Sequence, residues 1–88
     1  MKLSAKLKTV YDCKAFTYWL RQMLTDYFSH GSVCNFKAIE LKELDKNIKS
    51  VDEYTIKLND FFNDTHFIKC EITAIKTGIN VVIRFISF

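Results

Sequence analysis

The feature that most limits what this chain can become is the apolar run Ile79 to Phe88. In an extended backbone alternate residues point to opposite sides. Val81, Ile83 and Phe85 would share one face, and Val82, Ile86 and Phe88 the other, with Arg84 its main polar member. A strand of this kind needs cover on both sides. The preceding segment supplies a pairing partner. Ile68, Cys70, Ile72 and Ala74 alternate with Lys69, Glu71 and Thr73, and Thr77-Gly78 marks a tight turn between the two runs. A C-terminal β-hairpin is the prediction.

Upstream, the period changes twice. Leu3, Ala5 and Leu7 alternate with Lys2, Ser4, Lys6 and Lys8, which reads as a half-buried strand. Asp12 is a suitable N-cap, and from Cys13 the apolar positions fall at helical spacing. Phe16, Trp19, Leu20, Met23, Leu24, Tyr27 and Phe28 share a face, with Lys14, Thr17, Arg21, Gln22, Thr25 and Ser29 opposite and Gly31 placed to end the helix. Residues 33–44 read as a strand, because Ile39 and Leu41 alternate with Glu40 and Lys42, although Phe36 and Ala38 are out of phase and Ala38 to Leu44 is also good helix composition. Ser50-Val51-Asp52-Glu53 has the spacing of a capping box and opens a second helix, about 51–63, lined by Val51, Tyr54, Leu58, Phe61 and Phe62.

The predicted fold is α+β: a two-layer sandwich of about four strands with two helices on one face, in the order β-α-β-α-β-β. The chain is 88 residues long, a length that suits one domain, 1–88. No Pro and only two Gly argue against linkers and disorder. Lysines interrupt the N-terminus, so no signal peptide is expected, and the longest apolar stretch is too short to span a bilayer. Cys13, Cys34 and Cys70, an odd number without CxxC spacing, point to free thiols and a cytoplasmic setting. Eleven Lys against two Arg, with abundant Ile, Asn, Phe and Tyr, suit an AT-rich gene of the kind carried by phages and mobile elements.

No motif commits the chain to a chemistry. His30, Cys34, His66 and Cys70 are residue types that bind zinc, but on one strand His66 and Cys70 would stand about 13 Å apart. No metal or cofactor is expected. Cys13 in a first helical turn lacks a neighbouring base. Two isolated glycines cannot form a phosphate loop. The expected function is non-enzymatic protein binding, as an inhibitor or adaptor. The surface would be the exposed side of the hairpin, comprising Phe67, Ile75, Val82, Arg84, Ile86 and Phe88, meeting a protein partner or a second copy. The alternative is nucleic-acid binding through Lys2, Lys6, Lys8, Lys14 and Arg21, which crowd the first quarter of the chain against Asp12 alone. An acidic counterpart, Asp52, Glu53, Asp60 and Asp64, implies a lopsided charge distribution.

Overall fold

A computed structural model describes residues 2–27, 32–63, 65 and 68–86; the side chains of residues 26, 27 and 32–38 are outside that description. The elements run β1 (Lys2–Leu7), α1 (Val10–Tyr27), α2 (Ser32–Asp45), α3 (Val51–Phe62), β2 (Ile68–Ile75) and β3 (Gly78–Phe85). The α+β class is as expected, with three helices in place of two and a sheet of three strands in place of four. The difference lies in residues 33–44, which are helical. Leu41 is buried and Leu44, three residues on, half-buried, while Ile39 stands 64% exposed off that side. The alternation of Ile39 and Leu41 with charged residues is therefore not a strand pattern here.

The sheet order is β1-β3-β2, antiparallel throughout. β3 is central, pairing Lys2 to Leu7 on one edge and Ile68 to Ile75 on the other. Val81, Ile83 and Phe85 face the helices with Leu7, Ile68, Leu20, Leu24 and Leu58, and all are buried. α1 lies over β1 and α3 over β2, with α2 packed on α1.

Local chemistry sets the element ends. α1 starts three residues earlier than the sequence suggests. Thr9 Oγ1 accepts from the Asp12 N–H (3.1 Å), and the Asp12 carboxylate accepts from the backbones of Lys8 (2.8 Å) and Thr9 (3.0 Å). Thr9 is thus the cap, and Asp12 closes the box from inside. These backbone donors hold the Asp12 carboxyl below its ordinary pKa. Ser50 caps α3 as expected, its hydroxyl accepting from Glu53 N–H at 3.1 Å, whereas the Glu53 carboxylate turns to Lys57 at 2.9 Å. In the hairpin, Ile75 pairs with Gly78, so Lys76 and Thr77 form the turn and Gly78 opens β3. Gly78 has φ +117, and a Cβ there would meet the Leu7 carbonyl oxygen at 2.5 Å. The glycine permits both the backbone conformation and the approach of β1.

The helices are tied by one buried polar pair. Thr17, assigned by periodicity to the solvent side, is fully buried, and its hydroxyl donates to Cys13 C=O at 2.8 Å. Its single proton is thereby used, so Tyr54, 1% exposed, donates its own to Thr17 Oγ1 at 2.6 Å. Burial drives the Tyr54 phenol well above its ordinary pKa.

Two stability outcomes follow. Thr17→Val strands the Tyr54 O–H without an acceptor and is expected to destabilise by about 1–3 kcal/mol, more than Tyr54→Phe, which leaves the Thr17 proton satisfied; denaturant melts of both variants and the double check the order. Gly78→Ala forces a non-glycine residue to positive φ against a backbone oxygen, and a loss of about 1–3 kcal/mol or more is expected in the same melts.

Candidate protein-binding surface

The sheet has one face without helices. Register defines its rows: Lys2, Arg84 and Lys69 lie abreast, then Ser4, Val82 and Glu71, then Lys6, Asn80 and Thr73. Neighbouring strands stand about 4.8 Å apart, so the first row sets three cations side by side. Arg84 reaches diagonally to Glu71 at 3.5 Å, between side chains that are each about half exposed. Among the described residues this face holds four cations against one carboxylate.

That composition changes the expected hairpin patch. Val82 and Ile75 are half-buried, and Ile86 is 41% exposed just beyond β3. Arg84 is exposed, with Lys2 and Lys69 beside it on the neighbouring strands and Glu71 as its ion-pair partner. Phe67 and Phe88 lie outside the described residues. Nor do the expected nucleic-acid contacts form one surface. Lys2 and Lys6 project from the helix-free face, Lys8 sits in the β1–α1 loop, and Lys14 and Arg21 belong to α1 on the other side of the sheet. α3, which follows α2 after a short turn, carries Asp52, Glu53 and Asp60 against Lys57. An acidic helix is repelled by phosphate and is unsuited to lie in a DNA groove.

The apolar surface is elsewhere. Trp19, read from sequence as a core residue, is 62% exposed; Tyr11 is 78% and Tyr18 59% exposed. At 3.6 residues per turn Tyr11, Ala15, Tyr18 and Trp19 share the outer side of α1, which an amphipathic helix ordinarily leaves polar. The buried stripe is narrower than predicted: Cys13, Phe16, Thr17, Leu20 and Leu24, with Met23 at its margin. Thr17 takes the inward place that the pattern reserved for an apolar residue.

Beside this stripe runs a groove of about 420 Å³ between α1 and β1. Leu3, Ala5 and Leu7 form its floor, and Ala15, Phe16 and Trp19 its wall. β1 is an edge strand, and among the described residues no strand pairs with its outer edge. Alternate backbone N–H and C=O groups of an edge strand point outward unpaired. Groove, aromatic wall and open backbone edge thus meet along a single line.

Cys13 carries no activated thiol. It is wholly buried in the first turn of α1, and burial raises its pKa to about 11. Cys70, half-buried on the core side of β2, is raised to about 11 for the same reason. Tyr54 and Thr17 pack nearby as a satisfied structural pair. His30, His66 and the Cys34 side chain are outside the described residues. Among those described, no group of three His, Cys, Asp or Glu side chains could hold a metal ion, and no helix is long and apolar enough to cross a membrane.

At mildly alkaline pH, Cys13 and Cys70 are expected to resist iodoacetamide in the folded protein and to react fully in denaturant. Peptide-resolved mass spectrometry reads the two sites separately; fast native labelling of Cys13 would show a thiolate the structure does not support. Comparison with known protein families, characterised proteins and solved structures finds no match for this chain.

Proposed function

We propose that this protein is a binding module that captures another protein through the outer side of α1 and the adjoining edge of β1, and so acts as an inhibitor or an adaptor. The observation that carries this reading is the exposure of Tyr11, Tyr18 and Trp19 on one side of a single helix beside a largely apolar groove. Aromatic side chains bury large areas on docking and lose few rotamers, which is why Trp and Tyr dominate binding energy at interfaces. Leaving three of them in water has no return within the isolated fold. The reading keeps the function expected from the sequence and moves its surface from the hairpin to the first helix and strand.

A second reading, binding of a nucleic-acid backbone, draws support from the Lys2–Arg84–Lys69 row. It is the weaker one. The described residues of that face carry no aromatic ring for base stacking, and Glu71 already engages Arg84.

A photo-crosslinking amino acid placed at position 18 or 19, in cells of the natural host, tests the first reading. Discrete adducts with one protein are expected from these positions and none from position 56 on α3, where Ile56 is equally exposed but lies away from α1 and β1. Replacing Tyr11 and Tyr18 with Ser should abolish the adduct from position 19 and shift the melting temperature by no more than a few degrees. Adducts from position 56 alone, or adducts indifferent to the serine substitutions, sink the proposal.

A further inference from the structure

Resting on that reading, we infer that the occupant of the groove is an extended, acidic segment of the partner, which adds as a fourth strand to the free edge of β1. Three observations converge on this. The outer edge of β1 offers unpaired backbone groups over Lys2 to Leu7. An added strand extends the ladder there, and main-chain hydrogen bonds supply affinity while alternate side chains supply specificity. The two faces of such a strand meet opposite environments. On the helix side its side chains enter the groove over Leu3, Ala5 and Leu7, closed by Phe16 and Trp19 and lined also by Asp12, so apolar residues and not carboxylates suit that face. On the helix-free side they lie beside Lys2, Ser4 and Lys6.

Charge decides the chemistry of that second face. Lys2 already stands beside Arg84, which stands beside Lys69, and like charges directly opposite on neighbouring strands are destabilising. A carboxylate opposite Lys2 offsets this row, and one four residues away falls opposite Lys6. The partner segment is therefore one in which two acidic residues spaced i, i+4 alternate with apolar residues. A second copy of this chain is a poor occupant. Antiparallel pairing of two β1 strands about Ser4 sets each Lys2 against the other's Lys6. Slipping by one residue would turn the lysines into the groove. The same lysines that discourage self-pairing at this edge select a partner of opposite charge.

The test is a titration of the isotope-labelled full chain with a blocked synthetic peptide, Val-Glu-Val-Ser-Val-Glu-Val, followed by amide and indole resonances. Expected are shifts confined to Lys2–Leu7 and the Trp19 indole, with newly protected amides along β1. Lys2→Glu with Lys6→Glu is expected to weaken binding about tenfold, since one exposed ion pair contributes up to roughly a fivefold effect. Trp19→Ala, at an exposed position, should weaken it without altering the fold. The Gln counterpart of the peptide should bind about tenfold more weakly, and added salt should narrow the gap. Equal affinity for the Gln peptide overturns the acidic preference and leaves the protein-binding reading intact. A peptide that fails to bind while position 19 still crosslinks a partner overturns strand addition alone. A single-stranded oligonucleotide that moves Lys2, Lys69 and Arg84, with no peptide response and no crosslink, overturns both. A dimer in solution lost on Trp19→Ala assigns the groove to a second copy and overturns the acidic partner.

Discussion

Everything in this fold depends on β3 lying between β1 and β2. Each outer strand pairs only with β3 among the described residues, so the two ends of the described chain are joined through one strand. β3 also contributes Val81, Ile83 and Phe85 to the core, burying them against helices that never touch its opposite face. Gly78 makes the arrangement possible at its narrowest point, where the carbonyl of Leu7 comes within contact distance of a position that has no side chain. A small domain buries a modest fraction of its surface, so loss of one shared strand removes a large part of what holds it together.

The dual role of β3 explains how far the sequence could be read. Alternation identified β1, β2 and β3, and the faces assigned to Leu3, Ala5, Leu7, Ile68, Cys70 and Ile72 agree with the register. The capping motif at Ser50 located α3 to within a residue. Two-sided apolarity in the last run was legible, but its cause was not. Val82 is half-buried in the middle of the sheet, flanked by Ser4 and Glu71. Among the described residues, that face sets Val82, Ile75 and Ile86 beside polar and charged neighbours contributed by strands from both ends of the described chain. Strand order decides that, and local pattern does not contain it.

The two misreadings on the helices share another origin. Among the described side chains of α2, Leu41 is buried and Leu44 half-buried while Ile39 is exposed, and Ile39 and Leu41 alternate with charged residues as a strand would. On α1 the wide apolar stripe included Trp19 and excluded Thr17, and the structure reverses both. Thr17 is tolerated in the core because Cys13 C=O accepts its proton and Tyr54 supplies one in return. Such reciprocity links residues of separate helices, and a periodicity argument that scores one helix at a time assigns polar residues outward. Trp19 falls on the core face by the helical spacing of apolar residues, but apolarity is a one-way rule: core residues are apolar, and apolar residues are also found where surfaces bind. The candidate site was therefore visible as residues and invisible as a place.

The pairing of β1 with β3 has a further consequence during synthesis. Lys2 meets Arg84, and Leu7 meets Ile79, across nearly the whole length of sequence between them. Contacts so distant form late, because closing the loop is costly before the sheet repays it. On the ribosome β1 emerges long before β3, its one partner strand among the described residues, and for that interval both its edges are open while α1, α2 and α3 are completed. Lys2 and Lys6 of that strand then serve the nascent chain, keeping an unpaired, half-apolar segment from annealing to its neighbours on the same messenger.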